Sequence, residues 1–306
     1  MAYHAIKAGE GDVFISAGVE TVSRFGLGKA DGMENTKNPL AFPGMERTAK
    51  MAEGGTGWTD PRAEGLVPDV YVDMGQTAEN VARYMGVSRE DQDAFAVRSQ
   101  NRAEASIASG FWGRDITPVT LADGTVVSTD DGPRAGVTVE ATAGLKPIFR
   151  PDGPVTAGNA CPLNDGAAAL VIMSDTKAKA LGITPLARIV STGVTGLSPE
   201  IMGMGPVEAT KVALGRAGMS VSDIDLFEIN EAFAAQAVPS ARELGIDEDK
   251  LNIHGGAIAV GHPFGMTGAR ITTTLIHALT EADKQFGVET MCVGGGQGMA
   301  MVIERL

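Results

Sequence analysis

The chain has 306 residues, is 43% hydrophobic and carries a formal net charge of −13. That length fits one large domain or two ordinary ones with ample core, and the acidity argues against nucleic acid or an anionic membrane as the main partner. Two cysteines, Cys161 and Cys292, lie far apart and outside any CxxC pattern, which speaks against a disulfide framework or a zinc site.

The longest clean apolar run, GAAALVIM at 166–173, is too short to span a bilayer, and no signal peptide is evident. A cytoplasmic, reduced setting is therefore expected. Glycine is abundant, at 40 residues, without a collagen-like period; this suits many tight turns between strands and helices.

In chain order, MAYHAIKA reads as a helix with Ala2, Ala5 and Ile6 on one face and no cap at its start. DVFISAGVE (12–20) then reads as a buried strand. Residues 29–67 lose all periodicity and read as a long excursion, a kind of segment that is often functional. MGQTAENVARYMG (74–86) is an amphipathic helix. Ser88 and Asp91 make a capping-box-like start to a second, strongly polar helix. Residues 111–139 suggest short strands and turns, and 145–165 a Pro- and Gly-rich loop. GAAALVIMSD is a buried strand followed by a short helix.

From residue 186 the pattern becomes regular. LARIVSTGVTG is a strand, GPVEATKVALGRAG a helix with Pro206 in its first turn, DIDLFEIN a strand, and AFAAQAVPSARELG a helix that tolerates Pro239. A turn around His262 leads to a helix from Ile271, with Thr267 as its expected cap. GVETMCVGG and GMAMVIERL close the chain as strands. Such alternation predicts an α/β layered fold with a mainly parallel sheet. A weak internal repeat relates the first 20 residues to TTTLIHALTEADKQFGVETMCVGG: helix, polar turn, strand, glycine.

Three polar stations are expected at the carboxyl ends of apolar strands: Asn230 with Glu231 after DLFEI, His262 after the turn that follows NIHGGAIAV, and Cys292 after VETM and ahead of Gly294, Gly295 and Gly296. Sites in α/β sheets form at strand carboxyl ends. Alone, Asn230 reads as a helix cap, Cys292 as a small buried hydrophobe, His262 as a turn residue and Glu231 as a first-turn acid. Together they read as a site. GGGQG is not a dinucleotide loop, because a strand follows it where that fingerprint needs a helix. His4, His254 and His277 read as structural or surface residues.

The segments AGVETVSRFG, MGQTAENVA, TAGNACPLNDGAAAL, NEAFAAQ, GGAIAVGHPFGMTGAR and CVGGGQGMA resemble, in order and across essentially the whole chain, the thiolases, which are acyl-CoA C-acyltransferases. The resemblance implies a duplicated α/β layered sandwich, with residues 1–185 as the first half, including an excursion at about 29–159, and 186–306 as the second. It implies that His262 activates a nucleophilic cysteine, that Cys292 moves the proton at the substrate α-carbon, that Asn230 holds an oxyanion-hole water, and that the N–H of Gly294 serves a second oxyanion hole. Met74, Cys161, Leu163, Met202, Ala232 and Phe233 match positions that line the acyl and pantetheine pocket. No bound cofactor is implied; CoA thioesters are the substrates, and a homodimer or homotetramer is the usual assembly.

The chain departs from the family pattern in several places. Cys161-Pro162 stands where the family usually has Ser-Gly, and Asp73 where many members have histidine. The family's nucleophilic cysteine falls ahead of MAYHAIKAG. The expectation is therefore a thiolase polypeptide that is inactive by itself, with a non-catalytic CoA-thioester binder or a subunit of a split thiolase as the alternatives.

Overall fold

Two sheets with a helix between them frame the protein. The computed structural model describes residues 1–24, 36–54 and 57–306. The second half of the chain builds a four-stranded sheet in the order β5 (Ala187–Gly196), β8 (Gln297–Arg305), β7 (Phe286–Val293), β6 (Leu226–Ile229). This overturns the expectation of a mainly parallel sheet: only β6 and β7 run parallel, while β8 is antiparallel to both its neighbours. The cause is local, since the short glycine turn between β7 and β8 can close a hairpin but cannot make the crossover a parallel pair requires.

Each face of this sheet is covered. Helix α8 (Gly205–Ala217) packs on β5 and β8, and helix α11 (Thr267–Glu281) packs on β6 and β7 from the other side. The alternation along β6 shows why its apolar run is buried on both faces. Phe227 and Ile229 join Val207, Ala213, Val288 and Val302, whereas Leu226 joins Leu275, Leu279 and Ile303. Burying such a side chain contributes about 2 kcal/mol each. Sheet and helix meet at backbone distance: a Cβ on Gly298 would lie 2.0 Å from the Gly205 carbonyl oxygen.

The first half contributes α1 (Ala2–Lys7), β1 (Val13–Thr21) and β4 (Asp165–Met173). β1 and β4 pair antiparallel without interruption, from Val13 opposite Met173 to Thr21 opposite Asp165. The inward face approaches α11, and a Cβ on Gly18 would fall 1.7 Å from the carbonyl oxygen of Gly265. The outward face is bare: Ile15 is 73% exposed and Val19 70%. The strand expected to be buried is thus only half-buried on its inward face, at Phe14, Gly18 and Glu20, and open on the other. Helix α11 with β7 and β8 repeats the order of α1 with β1 and β4, which bears out the duplicated layered sandwich.

The excursion is more ordered than its composition suggests. Residues 25–35 and 55–56 lie outside the described part, but α2 (Phe42–Ala52) and a short 3-10 turn at Pro61–Glu64 occupy the stretch read as loop. Trp58 from this region packs with Val81 and Ile201 and donates its indole N–H to Glu200 at 2.7 Å. Glu200 also accepts the Asp69 N–H at 2.8 Å, so one buried carboxylate fastens the excursion to the 3-10 segment Pro199–Met204. Helices α3 (Met74–Tyr84) and α4 (Arg89–Ala108) follow. Ser88 caps α4 as its sequence predicts, accepting the Asp91 N–H at 3.0 Å.

Candidate active site

Asn230 leaves the end of β6 with its backbone still in the sheet. Its N–H donates to the Thr290 carbonyl at 3.0 Å, and its carbonyl accepts from Gln236 Nε2 at 2.6 Å. The side chain is different. Asn230 is 1% exposed, and neither Oδ1 nor Nδ2 has a hydrogen-bond partner among the described residues. Leaving a buried amide unpaired costs about 1–3 kcal/mol, so the sheet holds a polar group in readiness. Asn230 is not a helix cap, since α9 (Ala234–Leu244) begins after Phe233.

Cys292 stands one residue before the end of β7. Its side chain packs with Met202 and Ala232, and Phe233 leans on the same group. Burial pushes its thiol up to about 12, so at neutral pH it is protonated and can act as a proton donor, not as a ready thiolate. Cys161 is held beside the same group, its N–H donating to the Ala232 carbonyl at 3.0 Å. Burial, and then the neighbouring Cys292, push this thiol to about 12 as well. Gly294 opens the exposed turn after β7, with open space where a side chain would project.

His262 does not follow a strand. It follows the four-residue helix α10 (Ala257–Val260) and Gly261. Thr267, expected as a helix cap, is instead the first residue of α11, and its hydroxyl donates to the Pro263 carbonyl at 2.9 Å. With that proton committed, the hydroxyl can only accept from His262 Nδ1, which lies 2.7 Å away. The tautomer follows: Nδ1 carries the hydrogen and Nε2 keeps its lone pair. Burial, reinforced by the positive charge of Arg270, pulls the imidazole down to about 4. His262 is thus a neutral base with a fixed direction.

One loop links these groups. Asn159 accepts the Ala234 N–H at 2.9 Å, Ala160 bridges to Phe233, and Cys161 bonds Ala232. A few residues on, Asn164 lies against Gly261, and Gly166 lies against Pro263 and Met266. Residues 159–166 therefore run from the Asn230 turn to the His262 turn. Of the remaining expected pocket residues, Met202 and Phe233 are in the packed group, whereas Met74 at the start of α3 is 38% exposed and Leu163 is 73% exposed.

Sequence reasoning missed what holds this region. Glu231 is not a first-turn acid, since α9 begins only at Ala234; it is 1% exposed and takes hydrogen bonds from Ser99, Asn252 and Ile258. Its partners are too distant in the chain for any local pattern to reveal them. His254, read as structural or surface, is buried and stacked on Phe111 with ring centroids 3.5 Å apart.

The chain belongs to the thiolase family: residues 1–176 match the thiolase N-terminal domain and residues 183–305 the thiolase C-terminal domain. It is 46% identical over 307 residues to an acetyl-CoA acetyltransferase of Pseudomonas aeruginosa, covering 98% of this chain and 74% of that relative. The dimeric peroxisomal thiolase of Saccharomyces cerevisiae superposes with a TM-score of 0.85 at 36% identity, covering 99% of this chain and 71% of the other. Human mitochondrial 3-ketoacyl-CoA thiolase in complex with CoA gives 0.82 at 36% identity, covering 99% and 73%. By family the protein is a thiolase-type acyltransferase, and the family uses CoA thioesters. No helix among the described residues is long and apolar enough to cross a membrane.

Proposed function

We propose that this chain handles CoA thioesters as thiolases do, in the thiolytic cleavage of a 3-ketoacyl-CoA or the reverse condensation, in a cytoplasmic homodimer or homotetramer. The proposal divides the chain at 185/186 into its two halves. The observation that carries the reading is the chain from His262 Nδ1 through Thr267 to the Pro263 carbonyl, which leaves Nε2 as a base of fixed direction.

In this scheme His262 removes the proton from a nucleophilic thiol, which attacks the 3-keto carbon. The Asn230 amide, directly or through a water, and the Gly294 N–H stabilise the oxyanions. As the C2–C3 bond breaks, the Cys292 thiol gives its proton to C2 and the shortened thioester leaves as acetyl-CoA; a second CoA thiol then passes its proton to the Cys292 thiolate and attacks the acyl group, and the released nucleophile takes back the proton held by His262. Met202, Ala232, Phe233 and Cys161 form the wall nearest the reacting atoms, with Met74 and Leu163 further out along the pantetheine arm.

Neither Cys161 nor Cys292 is the nucleophile in this proposal, because burial holds both thiols protonated to about 12. The 306 residues by themselves are then expected to bind but not to turn over.

The test combines calorimetry with intact-mass spectrometry on the purified chain. Acetyl-CoA should bind, and Phe233→Ala should weaken binding by roughly tenfold, as loss of a central aromatic contact does. No stable acyl adduct should form. Absence of binding by any CoA thioester would sink the substrate assignment; a stoichiometric adduct on Cys161 or Cys292 with steady turnover would sink the exclusion of those thiols.

A further inference from the structure

Glu231 lies directly after Asn230, and its carboxylate receives three donors from three separate segments. Ser99 Oγ in α4 is at 2.6 Å, Asn252 Nδ2 at 2.7 Å and the Ile258 N–H in α10 at 3.1 Å. None of these donors can turn round. Asn252 Oδ1 already accepts the Ile229 N–H at 2.9 Å, and Nδ2 also donates to the Ile229 carbonyl at 2.9 Å, so only its NH2 can face Glu231. Ser99 Oγ accepts the Gly256 N–H at 3.0 Å, which commits its own hydrogen to the carboxylate. Ile258 offers a backbone N–H near the start of α10, where helix donors lack internal partners.

The fit is close. A Cβ on Gly256 would sit 2.3 Å from the Glu231 carboxyl carbon. Burial raises the Glu231 carboxyl above the ordinary carboxylate range, and the three hydrogen bonds and the charge of Arg270 pull against it. With every partner a donor, the group is read as an ionised acceptor.

We propose that Glu231 is a positioning residue that joins the strand end bearing Asn230 to the helix leading into His262, so that the two groups keep one relative direction. Its significance for catalysis rests on the thiolase reading; the geometric claim does not. Glu231 is adjacent in sequence to an amide that has no side-chain partner among the described residues, so the backbone that Glu231 anchors is what carries that amide's direction. Through Ile258 it also anchors α10, which ends one residue before Gly261 and two before His262.

Glu231→Gln tests this, because it keeps size and shape while placing an NH2 against donors. Whichever way the new amide turns, it opposes Asn252 on one side or Ser99 and Ile258 on the other. The readout is the pair of ring nitrogen signals of His262 in protein labelled with 15N-histidine, assigned by their loss in His262→Gln. In the unaltered chain the two signals should be widely separated, as a single tautomer requires. In folded Glu231→Gln that separation should collapse toward tautomer averaging, and the Asn230 side-chain amide signals should broaden. Ser99→Ala, which removes one donor and the link to Gly256, should give a smaller change in the same direction and serves if Glu231→Gln does not fold. A folded Glu231→Gln with the unaltered ring pair, or Ser99→Ala with no change at all, would overturn the proposal. Because the ring signals do not depend on turnover, failure of the thiolase chemistry would leave this readout intact, and the reverse.

Discussion

Two of the antiparallel strand pairs of this protein, β7 with β8 and β1 with β4, are built alike and kept differently. β7 and β8 have a strand on each side, a helix on each face, and interior residues such as Val288 and Val302 with no exposed surface. β1 and β4 pair just as regularly, yet their outward face leaves Ile15, Val19 and Val171 largely exposed. Both sequences are apolar and β-branched, so strand propensity does not separate them. What separates them is the layer opposite. Hydrogen bonding fixes a strand pair's register, but apolar contact on the second face supplies the larger part of its stability.

The largest expected effect tests the covered hairpin. Gly298→Val would drive a side chain into the backbone of Gly205, and such overpacking between rigid backbones should cost about 3 kcal/mol. Urea unfolding measures it; a loss below about 1 kcal/mol would show that the sheet and α8 can part.

Acid should also act on the covered half. His262 is held at about 4 against an ordinary 6.5, so its folded form binds a proton less readily than the unfolded chain. Its stabilising contribution is complete above pH 6.5 and is lost as the pH falls from 6.5 to about 4. The size is about 3 kcal/mol at most. Unfolding curves of the unaltered chain and His262→Gln should diverge across that window, and parallel curves would contradict the shift.

A smaller loss, about 1–2 kcal/mol, is expected for Gly18→Ala. The clash with Gly265 is severe if nothing moves, but a strand pair bare on one face can shift away. Because Gly265 belongs to the His262 turn, the histidine ring signals should shift more than the unfolding midpoint does. The smallest change in stability, within about 0.5 kcal/mol, is expected for Ile15→Thr combined with Val19→Thr. Light scattering should nonetheless show less self-association, since exposed apolar surface favours it. Unchanged scattering would mean the outward face is not the adhesive one.

Much of the frame could be read from the sequence wherever a local rule decides. Ser88 caps its helix as predicted, β4 and β8 lie where their apolar runs fall, and the repeat reflects a real duplication. The site stations Asn230, His262 and Cys292 were visible because each sits beside glycine or a strand end. Helix α2 was hidden because Pro43 and Gly44 sit in its first turn and read as loop residues. Gly44 is there because a side chain would strike the Asp69 backbone at 2.9 Å, a contact the sequence does not announce. The role of Thr267 was missed for a related reason: cap and ring acceptor use the same residue at the same place, and only the direction of its hydroxyl tells them apart. Glu231 was illegible because its meaning lies in Ser99, Asn252 and Ile258, which no window includes.

The loop that leads into β4, with the first residues of that strand (159–166), touches the Asn230 turn at one end and the His262 turn at the other. For anyone redesigning substrate preference, this makes it an awkward handle. A one-residue insertion meant to make room beside Cys161 would also tug on the turn that holds His262. Useful libraries would therefore vary its side chains at constant length, and would screen for orientation of the histidine alongside uptake of the new thioester.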